Sequence, residues 1–226
     1  MESKPTHILF GGTFDPPHNG HRLMVELCLK AFPQTEIIIT PSAQPAGAFG
    51  QHKHPIADFG DRFAMCRLAF SSVYKLDQIS IDAIEASLPA PNYTWKTLDK
   101  LSEVYPESRW GILLGFDQLK SFAGWQNALE LVDKYDLVAI ERPGFEMLSV
   151  ILPTLRASLG TLDELAPGVY SLGNEGHKLY VLAGEVSDAA SREVRHSITK
   201  ALDKDWLDPK VTEYIKQHKL YDESEA

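Results

Sequence analysis

Residues 11–21 read "GGTFDPPHNGH", with three glycines, two prolines, an aspartate and two histidines in one short run. On its N-terminal side lies "HILFGG" (His7–Gly12), an apolar run that ends at glycine, as a buried parallel strand does. On its C-terminal side Met24, Leu27, Cys28 and Ala31 recur at helical spacing, and "EIIIT" (Glu36–Thr40) reads as the next strand. The run is therefore the strand-to-helix turn of a βαβ unit. Such a turn sits at the carboxyl edge of a parallel sheet, where open α/β folds bind their ligands.

The alternation continues outward. Asp58 is placed to cap a helix whose apolar positions are Phe59, Phe63, Cys66 and Phe70. A strand near "QISIDAI" follows, then a helix over about Tyr93–Val104 and strands at "WGILLG" (Trp110–Gly115) and "DLVAIE" (Asp136–Glu141). This order predicts one α/β domain over residues 1–226, a Rossmann-like open parallel sheet with helices on both faces. Residues 143–178 interrupt it with five glycines, three prolines and one helical stretch, about Glu146–Ser158, and read as an excursion from the sheet. "KLYVLAG" (Lys178–Gly184) is the last strand, Asp208 and Pro209 open a final helix to about Lys219, and 222–226 form an acidic tail.

Charge and composition exclude several function classes. The chain is 44% hydrophobic and 23% charged, enough to bury a core, and its net charge is −9 from 22 basic and 31 acidic residues. A broad positive footprint for nucleic acid or an anionic membrane is missing. No apolar run approaches the roughly 20 residues of a membrane span. The expectation is a cytoplasmic protein with neither nucleic-acid nor membrane partner, which holds anionic ligands by local features; a homo-oligomer is left open. Cys28 and Cys66 fall on apolar helix faces without a CxxC pair, which suits buried thiols in a reducing compartment.

The opening turn has the composition of a phosphate site. Gly11 and Gly12 allow a phosphate close to the backbone, and Gly20 does so beside a helix N-terminus. His18 and His21, three apart, share a helix face and can grip one phosphate group. Neither GxxxxGK[ST] nor GxGxxG is present, so the P-loop and dinucleotide fingerprints do not apply. A metal would need more ligands than the two histidines, and only Asp15 is of suitable type nearby, so no metal ligand is assigned.

The same run resembles the GGxFDPPHxGH signature of bacterial nicotinate-nucleotide adenylyltransferases, within the HxGH nucleotidyltransferase superfamily. "DRFAMCRLAF", "NYTWKTL", "LLGFDQLKSFAGW", "RPG" and "VTEYIKQHKLY" resemble further blocks of that family in its order. The resemblance covers most of 6–145 and 179–221. It implies transfer of the adenylyl group of ATP, with Mg²⁺, to nicotinate mononucleotide, giving nicotinate adenine dinucleotide and pyrophosphate in NAD synthesis. A mononucleotide phosphate is already largely ionised at pH 7, so such a reaction needs no general base and no covalent intermediate.

Residue by residue, the resemblance gives His18 and His21 the catalytic contacts to ATP phosphates. Gly11, Gly12, Thr13, Gly20, Ser191 and Arg195 would line the ATP site. Thr94 would meet the nicotinate carboxylate, Trp125 would stack on the pyridine ring, and Asp117, Arg142 and Lys53 would complete the mononucleotide site. Without the resemblance, Trp125 has the spacing of a core residue, Thr94 is an early-helix threonine, and Asp117 and Arg142 are cap or surface charges. Two departures stand out. "PSAQPAGAFGQHK" is longer than the family's loop, and "DAASREVR" stands where the family has ISSTxIR, with Ala190 and Arg192 replacing hydroxyl residues and Arg192 offering charge instead. Competing expectations are another acceptor, such as nicotinamide mononucleotide or phosphopantetheine, a CTP-dependent reaction, or a non-catalytic nucleotide-binding relative.

Overall fold

The computed structural model describes residues 4–46, 54–73, 76–141, 148–160, 162–184, 191–196, 198 and 204–221. Strand β1 (His7–Gly12) leads into helix α1 (Asn19–Ala31), then β2 (Glu36–Pro41), α2 (Phe59–Ala69) and β3 (Ile79–Ile81). Next come α3 (Thr94–Val104), β4 (Trp110–Gly115), the short helices α4 (Phe116–Ser121) and α5 (Ala128–Lys134), and β5 (Asp136–Ile140). The rest comprises α6 (Leu148–Leu159), β6 (Glu164–Ala166), β7 (Val169–Leu172), β8 (His177–Leu182), α7 (Ser191–His196) and α8 (Pro209–Gln217).

The strands form one eight-stranded sheet in the order β3-β2-β1-β4-β5-β8-β7-β6. Every pair from β3 to β8 is parallel, and β7 and β6 join antiparallel. Residues 143–178 are thus not wholly an excursion. They supply α6, which packs on the sheet, and a hairpin that extends its edge. Gly168 makes that turn: its φ is +72°, and a Cβ there would come within 2.9 Å of the Val181 carbonyl oxygen.

Strand alternation builds the two faces. Ile8 and Phe10 of β1, Ile37 and Ile39 of β2, and Val138 and Ile140 of β5 pack with Val25 and Cys28 of α1, Met65 of α2 and Val211 of α8. Leu9, Ile38, Leu137 and Ala139 point the other way, onto Leu98 of α3, Leu119 of α4, Leu131 of α5 and Leu155 of α6. Each fully buried aliphatic side chain contributes about 1.5–3 kcal/mol relative to exposure. The predicted helix start at Asp58 holds, since its carboxylate accepts the Asp61 N–H at 2.8 Å. The predicted inner face of α2 is half right: Cys66 and Phe70 are buried, but Phe59 and Phe63 are half-exposed, and Arg62, Met65 and Ala69 are buried in their place. Arg62 turns inward because backbone carbonyls await it there.

At the edge opposite the strand C-termini, Asp136 is fully buried. Arg109 donates to both its carboxylate oxygens at 2.7 Å, and the Lys178 N–H donates to Oδ1 at 2.8 Å. Burial raises the Asp136 pKa, but the hydrogen bonds from His177, Arg109 and the Lys178 amide, with the Arg109 charge, outweigh it and hold the carboxyl below its usual value. A carboxyl depressed in the folded state contributes stability that is present above the unfolded pKa and lost as pH falls through the folded one. Asp136→Asn is therefore expected to cost about 1.5–3 kcal/mol at pH 7. Its urea-unfolding curves should converge with those of the wild type as pH falls below the ordinary carboxylate range, and a constant offset at every pH would contradict the ion pair's role.

Candidate active site

The order β3-β2-β1-β4-β5 reverses direction between β1 and β4, and the crevice beyond their carboxyl ends is the topological switch point. Both strands end in glycine, which the packed Phe14 ring requires at Gly12, while at Gly115 the near atom is only the end of the exposed Asp117 side chain. A Cβ on Gly12 would stand 2.9 Å from the Phe14 ring, and one on Gly115 would stand 2.6 Å from Asp117 Oδ1. Gly11 differs, because a Cβ there would meet the chain only at an ordinary 3.7 Å, yet Gly11 lines the crevice.

Phe14 takes a left-handed φ of +48°, a conformation that costs a bulky residue about 1–3 kcal/mol. Its ring is held edge-on by Phe10 and Phe70, and it meets the His21 ring edge-on with centroids 5.0 Å apart. His18 is the N-cap of α1, and its backbone N–H donates to His21 Nδ1 at 3.2 Å. With Nδ1 accepting, Nε2 is left as the donor nitrogen of the His21 ring. The two imidazoles stack, with centroids 3.7 Å apart and planes 27° apart. The two rings thus stand side by side, as their three-residue spacing predicts.

Buried polar contacts fix the turn from behind. The Asp15 carboxylate accepts the Ile56 N–H at 2.9 Å, the Ala57 N–H at 3.1 Å and the Tyr221 hydroxyl at 2.7 Å. Arg195 of α7 ion-pairs with it at 3.6 Å and also donates to the Asp15 carbonyl. Ser191 donates its hydroxyl to the Pro16 carbonyl at 2.9 Å. Arg62 is 1% exposed and donates to the carbonyls of Thr13 (2.7 Å), Ala57 (3.1 Å) and Ala43 (3.5 Å). Burial lowers its pKa, with Asp15 as the main opposing charge.

Two cavities meet over this turn. The first, about 460 Å³, is lined by His18, Gly20, His21, Asp117, Ser191 and Arg195 together with Gly11, Gly12 and Thr13. The second, about 340 Å³, contains Thr94 and Trp125 and shares Gly11, Gly12, Thr13 and Gln118 with the first. Trp125 is half-buried against Phe122, with ring centroids 5.0 Å apart, and keeps part of its surface for the cavity. Asp117 falls on the first cavity, with the histidines, rather than beside Trp125 where the sequence reading assigns it. Lys53 and Arg142 lie outside the described residues. Sequence reasoning missed Gln118, at the junction of both cavities, and His54, on the first. Their only signal was adjacency, to Asp117 in "GFDQ" and to Lys53 in "QHKH".

The floor of the second cavity is stitched from distant loops. Asn92 accepts the Gln44 N–H through its side chain and donates to the Glu85 carbonyl at 3.1 Å, and the Thr97 hydroxyl donates to Glu85 Oε1 at 2.8 Å. Thr94 is thereby fixed at the first turn of α3, where helix N–H groups favour an anion. Among the described residues no group of three or more His, Cys, Asp or Glu is arranged to hold a metal ion.

Residues 9–197 match the family described as Cytidylyltransferase-like. Among curated relatives, a protein of Gloeobacter violaceus named "Probable nicotinate-nucleotide adenylyltransferase" is 36% identical over 139 residues, which are 60% of this chain and 63% of the relative. One of the same name from Dehalococcoides mccartyi is 31% identical over 223 residues, 98% of each chain. Among solved structures, nicotinic acid mononucleotide adenylyltransferase of Plasmodium falciparum, in complexes with APC and with NaAD, superposes with a TM-score of 0.70 at 19% identity. The superposition covers 96% of this chain and 98% of that one, and establishes a shared fold.

Proposed function

The chain belongs to the Cytidylyltransferase-like family and, within it, to the nicotinate-nucleotide adenylyltransferases, and from that premise we propose that it joins ATP and nicotinate mononucleotide into nicotinate adenine dinucleotide, releasing pyrophosphate. The observation that carries this reading is the junction of the two cavities at Gly11–Thr13 and Gln118, with the stacked histidines on the ATP side and Trp125 on the other. Two anions brought together there react in line at the α-phosphate. The mononucleotide phosphate attacks, the bond to the β-phosphate oxygen breaks, and pyrophosphate departs with that electron pair.

The chain's own contribution is position and charge. Holding two reactants in line supplies several kcal/mol, up to about 7–11 in ideal cases. His18 and His21 donate to the phosphoryl oxygens as charge develops, while Gly11, Gly12, Thr13 and Gly20 let the phosphates approach the backbone. Mg²⁺ bound with ATP would supply charge to the phosphates, and because such an ion is held largely by substrate oxygens it would need few protein ligands. Asp117, on the same cavity, is the carboxylate that would hold it. We place the reaction in the cytoplasm, the reducing compartment in which the buried free thiols Cys28 and Cys66 persist.

Thr94 and the first-turn amides of α3 offer donors to a carboxylate, each such charge-assisted bond being worth about 1.5–3 kcal/mol. Nicotinamide mononucleotide forfeits most of that and turns its NH₂ toward donors. With ATP and Mg²⁺, pyrophosphate release is expected to show kcat/KM at least about tenfold higher for the acid than for the amide, a difference of 1.4 kcal/mol. Equal efficiencies, or a preference for the amide, would overturn the acceptor assignment. No release with any mononucleotide would favour a nucleotide-binding relative without turnover.

A further inference from the structure

The two cavities differ in what they offer an anion. Among the described residues no Lys, Arg or His lines the second cavity, and the carboxyl group of Glu85 lies in its wall. A mononucleotide seated by its ring at Thr94 and Trp125 therefore finds no cation for its phosphate there, and the phosphate is driven to the rim shared with the first cavity. That rim is made by the ends of two adjacent parallel strands, with Gly11 and Gly12 closing β1, Thr13 after them, and Gln118 on α4 beyond β4. Only Thr13 and Gln118 bring side-chain polar groups to it. The Gln118 carboxamide is not committed elsewhere. Asn92, the buried amide of the second cavity, spends its side chain on the Gln44 N–H and the Glu85 carbonyl. Gln118 is half-buried, and its backbone carbonyl accepts the Ser121 hydroxyl at 3.1 Å, while its side chain makes no hydrogen bond among the described residues.

Resting on the adenylyltransferase reading above, we propose that Gln118 is a catalytic residue on the acceptor side of that reaction: its Nε2 donates to the attacking phosphate of the mononucleotide and aims it at the α-phosphate of ATP. A neutral donor suits that place. A lysine or arginine would draw negative charge from the oxygen that must attack, whereas a carboxamide orients the phosphate through a hydrogen bond to a charged acceptor. What it supplies is alignment, and a misplacement of about 1 Å in such a step can cost about a hundredfold in rate. The histidines serve the ATP side of the junction, and Gln118 serves the nucleophile.

The test measures the affinity of each variant for nicotinate mononucleotide, for nicotinate riboside, which is the same molecule without its phosphate, and for ATP. Titration calorimetry gives these values, beside steady-state kinetics and melting temperature. Gln118→Met keeps the length of the side chain and loses the donor, and is expected to weaken the mononucleotide at least about tenfold, or 1.4 kcal/mol. Its kcat should fall by at least about tenfold as well, with KM for ATP unchanged. Riboside affinity, ATP affinity and melting temperature should stay near wild type, since no hydrogen bond within the protein is lost. Gln118→Glu should weaken the mononucleotide further, because a carboxylate then faces the phosphate. Mononucleotide affinity within about threefold of wild type in both variants would overturn the proposal. Equal losses for riboside and mononucleotide would also overturn it, by giving Gln118 to the nucleoside, as would an equal loss for ATP. These affinities are read without turnover, so they stand apart from the function assignment, which fails instead if the wild-type protein releases no pyrophosphate.

Discussion

His21→Ala is expected to lower kcat by about two to three orders of magnitude, the usual cost of removing one donor that faces charge developing in a transition state. His18→Ala should do the same, because the rings stack with centroids 3.7 Å apart and the proposed function has both act on one phosphate group. The structural cost is separable from the chemical one. His21 Nδ1 accepts the His18 backbone N–H at the start of α1, so its removal also loses a cap contact worth about 1 kcal/mol. For a chain of this size, that corresponds to about 2–4 °C in melting temperature. His21→Asn keeps an acceptor for the cap but not the distal donor, and should recover the melting temperature without recovering the rate. Stopped-time product assays beside calorimetric melting decide the matter. A kcat within about threefold of wild type, or recovery of rate in the asparagine variant, would remove His21 from the chemistry.

The fold was legible in the sequence wherever one strand or helix had to satisfy its own period. β1, β2, β4, β5 and β8 appear within a residue or two of where apolar runs ending at Gly or Pro predict them, because a strand buried on both faces cannot hide its composition. The hairpin of β6 and β7 was not legible. Its strands hold three and four residues, too short to establish a period, and Glu164, Leu165 and Ala166 are all exposed. α4 and α5 have six and seven residues on either side of a turn at Trp125, too short for either to show a helical period in the sequence.

The candidate site divides along a similar line. The glycines and histidines of 11–21 could be read because their chemistry is concentrated in one turn. Which cavity Asp117 faces could not, since that depends on how β4 ends beside β1 rather than on anything near Asp117 in sequence. The stitching of Asn92 to Gln44 and Glu85 was equally invisible, because it joins three loops through backbone groups that every residue carries.

Arg62 is the sharpest such case, and its replacement carries the largest stability effect expected. A charged side chain at a helix position reads as solvent-facing, yet Arg62 is 1% exposed and its guanidinium joins Thr13, Ala43 and Ala57 through their carbonyls. Those three residues belong to the histidine turn, the loop after β2 and the approach to α2, so one side chain fixes the relative placement of the walls of the first cavity. Removing it leaves three carbonyls without their donor and the buried Asp15 carboxylate with only Arg195 opposite. Breaking a buried charged contact in this way costs about 3–5 kcal/mol. Arg62→Ala should therefore lose at least about 3 kcal/mol in urea unfolding, or about 6–12 °C in melting temperature. Arg62→Lys restores the charge but presents one ammonium where three separated carbonyls were bridged by a planar fork, so it should recover only part of the stability. Its kcat should fall further than its stability alone explains, since the Thr13 carbonyl, 2.7 Å from the guanidinium, lies between the two substrate cavities. An Arg62→Ala loss below about 1 kcal/mol would mean that water replaces the guanidinium at those carbonyls. A lysine variant with wild-type kcat would mean that charge alone, without the fork, positions the turn.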